Sequence, residues 1–309
     1  MHTPITPAAP HRLLGLACAL AAALGFACSL VLARISYDHG SNSQTVMLVR
    51  FALVALLMLA WNRWRGHSLA LAPKLVAGCC ALGVFYFIGI GAYLTSVNWL
   101  PVSLAVLVFY TFPILIALLS AALARRWPQP LEMLALLVAF AGLALALEVR
   151  GGVELHPLGL ALACCAALGV TLNMVSSGYL LQRIPTTVFS FYLTLTTGTL
   201  SALAVLASGG PALPQSTAGW WAFGAMLATF IIAFIGTYNG IRLLGAVRLS
   251  TIMNLEPLAT ILIAVAALGE SLSGRQTLGG GIVLAAILLA QWPQWRAARR
   301  QRAAAAASG

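Results

Sequence analysis

Acidic residues are the scarcest feature of this sequence: Asp and Glu together number 6 in 309 residues, and all charged types make up only 7%. A soluble globular domain carries about 25% charged residues. With 61% hydrophobic residues and a mean hydropathy of +0.97, the chain is read as an integral membrane protein. Other absences narrow its chemistry. None of the six cysteines forms a CxxC pair, and all lie within apolar runs, where they read as small filler at helix contacts. The five histidines fall in termini or loops. There is no HExxH, GxSxG or phosphate-binding loop, so the sequence points to no metal, no cofactor and no ATP hydrolysis. The net charge of +11 is spread singly or in pairs between apolar stretches, with no basic face interleaved with aromatics. That pattern argues against a nucleic-acid partner.

What is present is a series of apolar runs of spanning length, about 20 residues each. Ten are read, at 13–34, 44–61, 75–96, 101–124, 131–149, 157–180, 187–207, 218–240, 247–268 and 277–292. They do not alternate every second residue as barrel strands would. The first run is too long for a removable secretory signal and has a counterpart in mid-chain. Placing both termini on one side gathers there every Lys and Arg except Arg34, Arg150 and Arg275 opposite and Arg50 within a span. By the positive-inside rule both termini are expected in the cytoplasm, in a bacterial inner (plasma) membrane setting. The basic tail, WRAARRQRAAAAASG, is read as a cytoplasmic anchor with weak affinity for anionic lipid.

The chain also repeats. LGLACALAAALGFACSL (Leu14–Leu30) matches LGLALACCAALGVTLNM (Leu158–Met174) at an offset of 144, and the same offset sets Pro113 against Pro257. Thr45-Val46 matches Thr187-Val188, which sets Arg50 opposite Tyr192, and IGAY (Ile90–Tyr93) matches IGTY (Ile235–Tyr238) one residue out of step. Two units of five spans therefore fill the chain. An odd number of crossings makes the second unit enter from the opposite face. The expected fold is an all-α integral membrane protein of ten transmembrane helices in two inverted-topology five-helix repeats, 1–149 and 150–292, followed by a basic cytoplasmic tail, 293–309. That architecture is typical of secondary transporters.

Seven residues stand out. Glu256 lies next to Pro257, about 12 Å into its span at 1.5 Å per residue. A carboxylate at the centre of a spanning helix costs roughly 2.5–3.5 kcal/mol on insertion scales, so it should face a cavity or a partner. Pro257 removes a backbone donor and should free the carbonyl near Met253. Glu256 reads either as a protonatable or cation-binding group or as a carboxylate fixed between helices. Arg50, roughly 9 Å into its span, reads as a ligand for a solute carboxylate, as a partner for an acid, or as a snorkelling anchor. Asn173 and Asn254 are polar groups at membrane depth that bond either solute or neighbouring helices. Tyr86, Tyr110 and Tyr192 lie mid-span, away from the interfacial belts where tyrosine is ordinary, and read as cavity lining or core. The glycines of helix eight (Gly236, Gly240) and helix ten (Gly279–Gly281) read as sites of close packing within the bundle.

In this order and spacing the motifs resemble the EamA-type family of the drug/metabolite transporter superfamily over essentially the whole chain. The matching features are Arg50-Phe51 in helix two, the small-residue openings of helices one and six, the Pro113 segment, and Leu255-Glu256-Pro257 followed by Leu268-Gly269-Glu270. The first unit departs from the pattern: Phe112 stands where Glu256 does, and Arg125-Arg126 stand where Gly269-Glu270 do. Any acid-dependent chemistry should then reside in the second unit. The resemblance implies a non-enzymatic carrier of small organic solutes such as amino acids or metabolites, often by export, working in the lipid bilayer. Proton coupling through Glu256 is a subsidiary expectation, and the oligomeric state is left open. The competing readings are a membrane-embedded enzyme and a non-transporting membrane subunit. Neither finds a feature of its own: no catalytic cluster serves the first, and the inverted duplication is unexplained by the second.

Overall fold

A computed structural model of the chain describes residues 9–96, 99–100, 102–125, 127–148, 156–268 and 273–289. The junction between the two expected units, the Gly269-Glu270 pair and the 293–309 tail lie outside these residues. The described residues are helical: α1 (Ala9–Asp38), α2 (Ser43–Trp64), α3 (Pro73–Ser96), α4 (Val102–Phe109), α5 (Phe112–Leu123), α6 (Pro130–Ala146), α7 (Pro157–Leu180), α8 (Thr186–Ala207), α9 (Thr217–Leu244), α10 (Ala246–Met253) and α11 (Leu255–Leu268). A last helix, α12, covers Gly274–Leu289. Eight helical segments among the described residues are long and apolar enough to cross a membrane, α4–α5 and α10–α11 each counting as one. The runs read at 131–149 and 277–292 form the shorter helices α6 and α12. At 17 residues α6 is about 25 Å long, short of the roughly 30 Å of a bilayer core.

Helix ends follow local chemistry. The Asn42 side chain accepts from the Thr45 amide at 2.8 Å and opens α2. Ser216 caps α9 in the same way through Gly219 N–H, at 3.1 Å. At the other end of α9, Gly245 (φ 84°) turns the chain straight into α10, a conformation that L side chains resist.

Two spans are broken within the membrane, and prolines explain both. The helix of span nine stops at Met253 and restarts at Leu255, as the loss of a bond near Met253 predicts. The helix of span four stops at Phe109 and restarts at Phe112, just before Pro113. The breaks, at Tyr110 and Asn254, are 144 positions apart.

Packing joins the halves rather than separating them. α1 lies along α9 and α3 along α7; α2 lies along α8. α10 and α11 pack on α1, and α4 and α5 pack on α7. Exchanging the halves turns α1–α9 into α7–α3 and the α10–α11 packing on α1 into that of α4–α5 on α7, and leaves α2–α8 unchanged. The correspondence reaches single residues. A Cβ on Gly25 would sit 2.9 Å from the Thr229 carbonyl oxygen, and one on Gly169 would sit 3.4 Å from that of Phe85. Ser29 donates to the Met226 carbonyl at 3.2 Å, while Asn173 donates to that of Leu82 at 3.2 Å. Every residue in one contact is 144 positions from its equivalent in the other. The contacts therefore correct the one-residue shift read between IGAY and IGTY: Phe85 and Leu82 occupy the places of Thr229 and Met226, so Tyr93 and Tyr238 are not equivalent. A shared four-letter string misled because small residues recur so often in these helices.

A Cβ on Gly236 would stand 2.6 Å from the Cys18 carbonyl oxygen, and one on Gly142 would stand 2.9 Å from that of Gly279, whereas one on Gly281 would meet nothing within 4 Å. Gly25→Val should push α1 off α9, since a backbone carbonyl blocks the new side chain. Overpacking of this kind costs about 1–3 kcal/mol. Gly224→Val on the open face of α9, where nothing lies within 4 Å, is the matched control. Thermal unfolding in detergent should show a lower Tm for the first than for the second. Equal values would mean that the α1–α9 approach is not tight.

Candidate functional site

The helices that cross between halves bring an aromatic layer together at mid-bundle. Phe51 of α2 lies edge-on to Tyr86 of α3 at 5.5 Å and to Phe230 of α9 at 5.5 Å. Tyr86 and Phe230 are themselves 144 positions apart, so Phe51 meets equivalent positions of the two halves. The layer continues through Phe234 to Tyr238, 4.8 Å away, and on to Phe189 at 5.1 Å. A second group, Tyr93, Phe109, Tyr110 and Phe112, gathers at the break between α4 and α5, with centroids 4.9–5.6 Å apart.

Arg50 sits on the first group. Its guanidinium lies over the Phe230 ring, 4.6 Å from the centroid, an arrangement worth about 0.5–2 kcal/mol. Its hydrogen bonding is limited to a weak contact from Nη2 to Met226 Sδ at 3.8 Å. Nε is buried and has no partner among the described residues. Tyr37 and Tyr86 are the titratable groups in its field. The guanidinium is thus held in position by a ring and a sulfur, with donors to spare.

Glu256 opens α11 immediately before Pro257 and is half-buried. The Tyr110 side chain, at the other helix break, lies beside its carboxyl. α10 packs on α5, so the two breaks meet across the interface of the halves. Tyr86 and Tyr93 lie within electrostatic range of the same carboxyl, and Tyr86 is also in the field of Arg50. Of the seven predicted residues, Arg50, Tyr86, Tyr110 and Glu256 are thereby brought into one neighbourhood.

The other three are hydrogen-bonded within the protein. Asn173 donates to the Leu82 carbonyl and accepts from the Tyr238 hydroxyl at 3.1 Å, tying α7 to both α3 and α9. Asn254 is buried at the break and donates to the Thr251 carbonyl at 3.3 Å. The Tyr192 hydroxyl donates to the Leu69 carbonyl at 2.7 Å, fastening α8 to the α2–α3 loop. Phe230, Met226 and Tyr93 belong to the neighbourhood but were not singled out. Tyr93 carried a signal, its place in IGAY; Phe230 and Met226 are ordinary apolar residues whose role depends on what packs above them.

Taken together, these are the features of a multi-pass helical membrane protein with a polar and aromatic centre shared by two similar halves. A profile of the EamA-like transporter family matches residues 13–147 and again residues 157–292. The chain belongs to that family. It is similar to an uncharacterized transporter of Synechocystis sp., 27% identical over 90% of this chain and 93% of that one. An uncharacterized transporter of Archaeoglobus fulgidus is 24% identical over 70% of this chain and 75% of its own. A solved crystal structure at 24% identity covers 91% of this chain and 98% of its own with a TM-score of 0.76, a likeness of fold.

Asn173 and Tyr238 offer a direct check on the structural bonds. A double-mutant cycle of Asn173→Ala and Tyr238→Phe, read by unfolding in SDS–detergent mixtures, should give a coupling of about 0.6 kcal/mol, the average for such bonds in membranes. A coupling indistinguishable from zero would mean that the two side chains do not bond.

Proposed function

We propose that this chain is a secondary transporter of small organic solutes, amino acids or related metabolites, that exports them across the bacterial inner (plasma) membrane by alternating access. Ten spans form two inverted five-helix units, with both termini in the cytoplasm. Rocking of the units about their shared centre exposes a solute site to either side in turn. The exchange of contacts between halves and the double family match support this architecture. Arg50, Tyr86, Tyr110 and Glu256 contact the solute directly, and Asn173, Tyr192 and Asn254 border or brace the same space.

The observation that carries this reading is Arg50. A cationic side chain inside an apolar bundle is costly, and it is ordinarily matched by an acid or by backbone carbonyls. Here it has an aromatic face, a thioether and a bare Nε. An anionic group of a solute fits that deficit, and the guanidinium's planar fork suits a carboxylate. Glu256, at the opposite helix break, handles a proton or a cationic group of the solute. No catalytic chemistry enters this scheme.

The test is transport in proteoliposomes against a panel of amino acids and small metabolites, with and without an imposed pH gradient. Wild type should give saturable flux. Arg50→Gln should lower kcat/KM by about 10- to 100-fold, the equivalent of a hydrogen bond to a charged group at 1.5–3 kcal/mol. Arg50→Lys should recover little of it. Normal flux in Arg50→Lys would exclude a fork geometry. Glu256→Gln should abolish flux or free it from the pH gradient; unchanged coupling would reduce Glu256 to a structural carboxylate. Folded wild-type protein that moves no solute of the panel would overturn the carrier reading.

A further inference from the structure

A cavity of about 310 Å³ opens between the Ser43 end of α2, the Ser96 end of α3 and the Ala207 end of α8, away from Glu256. Ser43, Gln44 and Thr95 line its helix-end side, Ser201 is buried further along α8 with its hydroxyl donating to the Thr197 carbonyl, and Met47 and Phe87 line it further along α2 and α3. α2 and α3 come from the first half and α8 from the second. Met47 is one turn from Arg50 and Phe51 on the same stripe of α2, and Phe87 follows Tyr86. Met47 therefore brings the cavity to within one helical turn of the aromatic layer on which Arg50 rests. The rim is held by bonds between halves: Ser208 donates to Gln44 Oε1 at 2.5 Å, and the Ala212 amide donates to Thr45 Oγ1 at 2.8 Å.

Gly91 lines the same space. A glycine within a helix is destabilising by about 0.8–1.0 kcal/mol relative to alanine. Gly25 and Gly236 offset that cost by letting another helix approach. A Cβ on Gly91 would meet nothing within 4 Å, although the residue is half-buried. Close packing does not account for this glycine; open volume does.

We infer that this cavity is a second solute subsite, the vestibule through which solute passes between the central site and the side of the α1–α2 and α8–α9 loops. Among the described residues, its lining carries no ionisable side chain. It takes an amphipathic solute with its aliphatic or aromatic part on Met47 and Phe87 and its uncharged hydrogen-bonding groups at the rim. The volume falls at the lower end of ligand sites, about 300–1,000 Å³. Met47 and Phe87 must part before solute meets Arg50, so they act as the gate on this side. The inference rests on the carrier reading above.

The test combines labelling and flux on the full chain. Met47→Cys, in a chain whose six native cysteines are replaced by alanine, should react in membrane vesicles with a charged, water-soluble methanethiosulfonate added on the α1–α2 loop side. Val54→Cys, fully buried two turns further along α2, should not react. Adding Gly91→Trp should lower labelling of Met47→Cys by roughly tenfold, as a ring occupies a ligand-sized space. Reaction of Met47→Cys only from the opposite side, or not at all, would overturn the inference. In the native-cysteine background, which needs no other replacement, Gly91→Trp should cut solute flux by a similar factor with an unchanged Tm. Gly224→Trp, on an open face, should carry wild-type flux. Full flux in Gly91→Trp would overturn the vestibule while leaving the carrier reading intact. Absence of flux in wild type would remove the carrier reading first, and the vestibule with it.

Discussion

Hydrocarbon offers backbone N–H and C=O groups no partner, so a chain in a membrane must satisfy them internally or bury the exceptions in protein. The helices of this chain obey that constraint almost everywhere, and the two exceptions organise its centre. At Tyr110 and Asn254 prolines one turn on, Pro113 and Pro257, stop the helix from continuing. Polar side chains take up carbonyls around the breaks: Thr111 bonds Val108 O, Thr251 bonds Val247 O, and Asn254 bonds Thr251 O. Both breaks are covered by helices of the other half, α7 over the first and α1 over the second. The same covering sets Tyr110 against Glu256. Glu256 thus lies where the backbone is already irregular and already covered by a helix of the other half.

The two halves share a packing skeleton and differ in chemistry. Gly25 and Gly169 make the same approach, and Ser29 and Asn173 make the same bond to the facing helix. Where side chains look inward, the equivalents part: Tyr86 against Phe230, Tyr110 against Asn254, Phe112 against Glu256. An exchange-symmetric scaffold can move between two equivalent arrangements, but a symmetric site would treat a solute identically in both. The substitutions place the carboxylate in one half and its tyrosine partner in the other. Arg50 has no basic counterpart: Tyr192 stands opposite it in the sequence match, and that hydroxyl is committed to Leu69 O.

Much of this could be read from the chain alone because it depends on properties that composition and spacing carry. Apolar length gave eight spanning-length segments among the described residues, the offset of 144 recurs in the equivalent contacts of Gly25 and Gly169, and Pro257 gave the break beside Glu256. The length of α6 did not follow, because hydropathy over 131–149 continues past the last helical turn at Ala146. The register of α3 against α9 did not follow either. It is fixed by which glycines let backbones touch, and IGAY and IGTY are a poorer guide to that than Gly25 and Gly169. For the site, a charged or polar residue at membrane depth is visible in a sequence. What it touches is not. Nothing in the string distinguishes Asn173, bonded on both sides, from Arg50, which is left with a bare donor.

That difference also bears on why an arginine is tolerated here. A cation at the centre of a spanning helix costs roughly 2.5–3.5 kcal/mol on insertion scales. The Phe230 ring returns about 0.5–2 kcal/mol, and a thioether at 3.8 Å returns little more. A protein under no other demand would lose nothing by replacing Arg50 with an apolar residue, as the surrounding layer of Phe51, Tyr86 and Phe230 already packs well. Met226 takes only a weak contact from Nη2 and Phe230 takes the face of the guanidinium, so on the proposed reading an incoming anion displaces no strong partner. Recognition built this way favours solutes that can satisfy the donors and penalises those that leave them bare. On the proposed carrier reading, the stability given up at Arg50 returns as selectivity when a solute binds.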